Sequence, residues 1–176
     1  MHTRAATNLD RDAIHSIHWS AFAAGEREAV SKLALNLLSE ETTPQTISLV
    51  AESEGIVVGH VAFSPVSIDD DGSFRGYILA PLGVKPDYQK RRIGSKLIES
   101  GMQQLSRRGI DIIFVYGDPE YYSKFGFGVD AAERYIPPYK LQYPFGWQGI
   151  VLNKCSAEKS SANIVCVTSL SDPTLW

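Results

Sequence analysis

A chain of 176 residues is long enough for one domain with a sizeable core, and an apolar fraction of 44% excludes a disordered chain. A net charge of −3 excludes a general nucleic-acid binder, because no excess of Lys and Arg is left to neutralise many phosphates; any basic patch must be local. No segment approaches the ~20 consecutive apolar residues that span a bilayer, and the stretch MHTRAATNLDRDAIH lacks the apolar core of a signal peptide, so a cytoplasmic protein with no membrane or nucleic-acid partner is expected.

The N-terminal residues before Thr7 form a short edge strand in this reading. Asn8 or Asp10 can cap a helix running to about Phe22, with Ile14, Ile17 and Ala21 inward, and Gly25 interrupts it. A second helix over about Glu26 to Leu38 collects Ala29, Val30, Leu33, Leu37 and Leu38 on one side. TISLVAES and IVVGHVAFSPVSI then read as a hairpin turning at Glu54-Gly55, and DDDGS (Asp69 to Ser73) as an acidic turn. YILAPLGV (Tyr77 to Val84) is a third strand, interrupted because Pro81 cannot donate to a ladder and Gly83 suits a bulge or a close backbone approach.

A helix follows from about Ile93 to Arg107. Ile93, Leu97, Met102 and Leu105 make its buried stripe, Ile98 sits at the margin, and Gly109 ends it. IDIIFVYG is a continuous apolar strand, the pattern of one covered on both faces. Tyr77 to Tyr116 therefore reads strand, basic turn, helix, strand: a β-α-β unit with a right-handed crossover. DPEYYSKFGF holds a short helix. The stretch up to Gly149 is rich in Pro, aromatics and Gly, and YIPPYKLQYPFGW within it reads as surface packing. GIVLNKC and ANIVCVTSL are the last two strands. Cys155 and Cys166 imply no disulfide framework and are read as reduced thiols.

The stretch YQKRRIGSKLIES contains an electrostatic misfit. Lys90, Arg91 and Arg92 crowd a helix start that already carries about half a positive charge. Water and salt screening can hold the cost of such a turn to a few tenths of a kcal/mol. A bound anion would instead turn the repulsion into attraction, because backbone N–H groups at a helix start and flanking cations make a phosphate site. Gly94 allows close approach and Ser95 adds a donor. The stretch is neither a Walker A loop nor a dinucleotide fingerprint.

LAPLGVKPDYQKRRIGSKLIESGMQQL resembles the acyl-CoA segment of the GCN5-related N-acetyltransferase (GNAT) superfamily, whose phosphate loop follows a Q/R-x-x-G-x-G/A pattern. Gln89, Gly94 and Ser95 occupy matching positions, while Arg92 stands where the first glycine is usual. Its Cβ disfavours positive φ, so the loop must either hold a pyrophosphate less closely or compensate through the guanidinium. GDPEYYSKFGF is similar to the family's Y-x-x-x-G-F ending, with Tyr122 as the matching tyrosine and Gly126 and Phe127 closing the motif. With AESEGIVVGHVAFSPV and SAFAAGEREAV upstream, the chain resembles the bacterial YhbS-like acetyltransferases as far as about Asp130.

The resemblance implies a mixed α/β, three-layer fold. A central, mostly antiparallel sheet would carry a parallel β-α-β acyl-CoA unit, flanked by helices. It implies a single N-acetyltransferase domain over 1–176, with an acyl-CoA core at 77–128 and variable strands at 129–176. Acetyl-CoA would be the co-substrate, no metal is called for, and a primary amine on a small molecule or peptide would accept the acetyl group in a ternary complex. Monomer and homodimer both remain open. Leu82, Gly83, Val84, Gln89, Lys90, Arg91, Arg92, Ile93, Gly94 and Ser95 would bind the cofactor, and Tyr122 would face the leaving sulfur, with Tyr121 as its packing neighbour.

No general base is identified. Glu26, Glu28 and Glu52 read as solvated carboxylates, His60 as a satisfied strand histidine, and His15 and His18 share a helix spacing without further ligands for a metal. Acceptor specificity is expected from the first two helices, the hairpin and the C-terminal tail. Two other readings stay open: a non-catalytic acyl-CoA sensor or interaction module, and an α/β domain holding another phosphorylated ligand.

Overall fold

The computed structural model describes residues 1–68, 74–153 and 161–176. The acidic turn at 69–73, and Cys155 with any pairing it makes, lie outside the described residues. The strands are β1 (His2–Ala5), β2 (Ile47–Ser53), β3 (Ile56–Ile68), β4 (Gly76–Val84), β5 (Ile112–Tyr116), β6 (Tyr135–Ile136), β7 (Trp147–Val151) and β8 (Ala162–Cys166). The helices are α1 (Arg11–Ala21), α2 (Arg27–Ser39), α3 (Ile93–Arg107) and the single turns α4 (Pro119–Tyr122) and α5 (Val129–Ala132). The main sheet runs β1-β2-β3-β4-β5-β7 and is antiparallel except at β4–β5; β8 adds to the far end of β3 and carries β6 in parallel.

The alternation of side chains along each strand sorts the two faces. On β5, Ile113 and Val115 join Leu49, Val61, Phe63 and Leu79 beneath α3. Ile112 and Phe114 join Ala62 and Ile78 beneath α2, and Val50 packs with Ile14 of α1 and Ala34 of α2. Three layers result, and the continuous apolar run of β5 is the consequence of burial on both sides. The hairpin turns where expected, with Glu54 at φ 53° and Gly55 at φ 77°.

Several local expectations change in detail. Asp10 does not cap α1 with its side chain: a bidentate pair with Arg4 at 2.8 Å and the Thr7 N–H at 2.8 Å draw the carboxylate backward. On α3, Ile98 is fully buried and Met102 only half-buried. The helix is rolled so that Gly101 meets the sheet, which swings position 98 inward and 102 toward the margin. Tyr135, Leu141 and Trp147 are core residues rather than surface ones. The Trp147 ring stacks on Phe114 at 5.1 Å, and its indole N–H is held by the Tyr135 carbonyl at 2.9 Å. The seventh strand begins at Trp147, two residues before the glycine expected to open it.

Gly101 reverses a familiar rule. In a free helix, Gly→Ala gains about 1 kcal/mol. Here an added methyl would fall on the ring of Phe63, which is fully buried and cannot retreat. Overpacking costs about 1–3 kcal/mol, so Gly101→Ala should lower the thermal midpoint; an unchanged or raised midpoint would show that α3 can slide off the sheet.

Candidate active site

β4 and β5 part company halfway along their length. They pair from Gly76 to Leu79 against Ile112 to Val115, and β4 then continues to Val84 with no partner on that side. Across β4 the ladder to β3 slips between Val61 and Phe63, opposite the Ala80-Pro81 bulge. The open edge is therefore a row of backbone groups facing a gap. Alternation identifies them. Lys85 donates to Val58 on β3, so the Gly83 amide also faces β3, and those of Leu82 and Val84 face the gap.

Two clefts meet at this gap, with Phe22 and Leu82 bordering both. The first, of about 610 Å³, runs from the β4 edge to the start of α3. It is lined by Leu82, Gly83, Val84, Gln89, Lys90, Arg92, Ile93, Gly94 and Ser95; Tyr121 and Lys124 close its other side. Of the cofactor residues expected from the sequence, only Arg91 stands apart, with its guanidinium over the Tyr88 ring at 5.3 Å. Gln89 donates to the Val84 carbonyl at 3.1 Å and so pins the basic turn to the open strand edge.

The turn itself keeps the shape that a glycine would give it. Arg92 sits at φ 60°, ψ 19° and Lys90 at φ 60°, both left-handed. Each costs about 1–2 kcal/mol for a residue with a Cβ. The first turn of α3 contains no acidic residue, and Lys96 is the first amide bonded back to the turn, to the Arg92 carbonyl at 3.0 Å. The amides of Ile93, Gly94 and Ser95 thus point out unbonded, beside two cations. Arg92 reaches Glu99 at 3.6 Å, but both side chains are largely exposed and the pair offsets little. Glu99 is the single acidic side chain among the described residues lining this cleft, against Lys90, Arg92 and Lys124, and the residues present fit a polyphosphate.

The second cleft, of about 770 Å³, lies on the α1–α2 side of the gap. Its floor is Ile78 to Leu82, one wall is Phe22 to Leu33, and the other is residues 170–176. The hairpin turn at Glu54-Gly55 lines neither cleft. Tyr122 opens into the second cleft and Tyr121 into the first. Burial pushes the Tyr122 hydroxyl above the usual tyrosine value, reinforced by Tyr121 and the Asp118 carboxylate, so it remains protonated. Asp118, Glu26 and Glu28 border the same cleft. Glu52 does not: it pairs with Arg4 at 3.2 Å on the β1–β2 side. Cys166 is a free thiol that burial pushes up to about 12, which removes it as a nucleophile.

His18 and His60 form a buried pair that sequence spacing does not reveal, since they are 42 residues apart. His18 Nε2 lies 2.7 Å from His60 Nδ1, and His60 Nε2 lies 2.9 Å from Ser48 Oγ. His18 rests on Gly83, where an added Cβ would come within 2.8 Å of Nδ1; this close approach is why position 83 lacks a side chain. His15, by contrast, is exposed and stacks on Trp19, so the two helix histidines do not converge. Among the described residues no group of three His, Cys, Asp or Glu side chains is placed to hold a metal. Nor is any helix there long and apolar enough to cross a membrane.

Acid should act on these groups. Burial lowers His18 to about 3 and His60 well below 6.5, so both are neutral in the fold and charge on unfolding. Their contribution is complete above pH 6.5 and falls as pH drops below it, by about 1.4 kcal/mol per pH unit for each histidine. Asp10, held at about 2 by Arg4, adds a further loss below pH 4 of about 2 kcal/mol in all. Urea midpoints should therefore fall between pH 7 and 5; a flat profile there would place the histidines in water.

The model of the acetyltransferase (GNAT) family matches residues 11–127. The chain is 33% identical over 134 residues to the uncharacterized N-acetyltransferase YjhQ of Escherichia coli (strain K12), covering 75% of this chain and 72% of that protein. It is 37% identical over 108 residues to the uncharacterized N-acetyltransferase YhbS of the same strain, covering 60% and 62%. The crystal structure of Escherichia coli YhbS in complex with CoA superposes with a TM-score of 0.82 at 23% identity, over 97% of this chain and 92% of that one. A GNAT family acetyltransferase from Brucella melitensis in complex with acetyl-CoA gives 0.68 at 28% identity, over 96% of both.

Proposed function

Because the chain belongs to the GNAT acetyltransferase family, we propose that it moves the acetyl group of acetyl-CoA to a primary amine while both substrates are bound. The donor would occupy the first cleft and the acceptor the second, within one continuous domain. In balance, the thioester C–S bond breaks and a C–N bond forms, and an ammonium plus acetyl-CoA becomes an amide, free CoA thiol and one released proton. Acetyl-CoA supplies the activated acyl group; everything else falls to the chain.

The observation that carries the reading is the corner at α3. Left-handed Lys90 and Arg92, three unbonded helix amides and the cations around them converge on one end of a cleft whose other end is the open edge of β4. A diphosphate at the first end relieves the repulsion, and the Leu82 and Val84 amides can bond the amide-bearing arm like an adjoining strand. Gly83 contributes differently, by letting α1 close down on β4. The thioester would then lie where β4 and β5 diverge, within reach of Tyr122.

Tyr122 serves the departing sulfur. A tyrosine near 10 gives its proton to a thiolate near 8.5 at a cost of about 2 kcal/mol. Burial raises the Tyr122 value further, so hydrogen bonding to the developing thiolate outweighs outright transfer. Glu26 and Glu28, at the cleft rim, would take the amine's proton through water. Holding both reactants at one gap also removes much of the entropic barrier.

The test is calorimetry with CoA and acetyl-CoA, followed by thiol release in the presence of an amine library. Micromolar binding with amine-dependent release is expected. Binding with no release under any amine would favour the sensor reading, and displacement by simple nucleotides would favour a different phosphorylated ligand.

A further inference from the structure

The second cleft has a chemical character that narrows the acceptor, and the inference drawn from it rests on the acetyl-transfer reading. Its rim carries Glu26, Glu28, Asp118 and Asp172 against Lys32 as the single basic residue among those lining it. Its interior is apolar, from Leu33 and Ile78 on one side to Leu175 and Trp176 on the other. An ammonium is drawn by such a rim, a carboxylate is repelled, and the space below rewards an apolar body rather than a chain of further charges.

The apolar wall is built and fastened. The Trp176 ring stacks on Tyr116 at 6.3 Å with planes 11° apart, lies 6.1 Å from Trp147, and donates its indole N–H to the Leu170 carbonyl at 3.1 Å. Asp172 caps the turn before it through the Thr174 amide at 2.9 Å. The segment is latched to α2 by one carboxylate. Glu40, just past the end of that helix, accepts the amides of Thr168 and Ser169, each at 3.0 Å, and the Ser169 hydroxyl. Glu40 does not line the acceptor cleft. It acts through the wall and is a positioning residue.

We infer that the acceptor is a cationic primary amine with an apolar, ring-sized body and no carboxylate, seated against a wall of residues 170–176 that Glu40 holds in place. Charge complementarity at the mouth selects the ammonium, and burial of the ring selects the body. Both act in the same cleft, at the gap where the acyl group is delivered.

The experiment compares tryptamine, tryptophan, ethylamine and spermidine as acceptors by CoA thiol release, with acetyl-CoA binding followed by calorimetry. Tryptamine should exceed tryptophan in kcat/KM by about 100-fold, the consequence of one added like charge. It should exceed ethylamine by about tenfold or more, the worth of a buried ring. Glu40→Ala should raise the KM for tryptamine several-fold with kcat and the acetyl-CoA Kd unchanged, a split that general loosening of the fold would not give. Glu28→Gln, on an exposed side chain that threatens no packing, should lower kcat/KM for tryptamine about threefold more than for tryptophan, because any loss of proton transfer is common to both amines. Equal or better use of tryptophan or spermidine would overturn the inference. So would acetyl-CoA binding with no release by tryptamine. Failure to bind acetyl-CoA would sink the acetyl-transfer reading itself, and calorimetry distinguishes that case.

Discussion

Tyr122→Phe should lower kcat by about 100-fold or more, the scale of one lost hydrogen-bond donor to a developing anion, while the Kd for acetyl-CoA stays within about twofold. The ring is anchored without its hydroxyl: it packs on Phe127 at 5.8 Å and Tyr121 at 5.1 Å, both edge to face. Phenylalanine preserves those contacts, so the fold should survive and the loss should fall on turnover alone. Tyr121→Phe is the control. That side chain borders the donor cleft, and its loss should alter acetyl-CoA affinity more than kcat. Wild-type turnover in Tyr122→Phe would remove the residue from the chemistry and leave the leaving thiolate to water.

Reversing charge at the α3 corner should have the second large effect. Hydrogen bonds to charged groups contribute about 1.5–3 kcal/mol each. The Lys90→Glu, Arg92→Glu double variant should therefore weaken CoA by about 100-fold or more, with a shallower dependence on salt. Arg91→Glu should do much less, because that guanidinium rests on Tyr88 instead of lining the cleft. Arg92→Gly separates backbone from side chain: it keeps the left-handed turn at no steric cost and removes the guanidinium. Binding as tight as the parent's would assign the whole contribution to the helix amides. An unchanged Kd in the double variant would mean that no phosphate reaches this corner.

The left-handed Arg92 settles a local question that the residue type leaves in conflict. Substituting arginine for glycine suggests a relaxed loop, yet the backbone holds the glycine conformation. The clamp is visible on both sides: Gln89 ties the turn to Val84, and Ile93, almost fully buried, seats α3 on the sheet. A few kcal/mol of packing and hydrogen bonding outweighs about 1–2 kcal/mol of local strain. Glu52 shows the opposite relation. It reads as an ordinary solvated carboxylate in sequence, and only the pairing of β1 with β2 brings Arg4 beside it.

The amino-acid sequence by itself determined most of the elements and their kind; α5 and β6, in the stretch rich in Pro, aromatics and Gly, are exceptions. The β-α-β unit, the doubly covered β5, the hairpin at Glu54-Gly55 and the cationic helix start follow from periodicity, turn chemistry and helix electrostatics, all of which act between residues a few positions apart. Tertiary structure alone decided that β4 and β5 separate after Leu79, that Tyr121 and Tyr122 open into different clefts, that His18 meets His60, and that Trp176 walls the second cleft. These depend on contacts between segments tens of residues apart, and on how far a bulge and a rolled helix displace them. No short-range pattern encodes such displacements, because burial and packing are properties of the assembled layers.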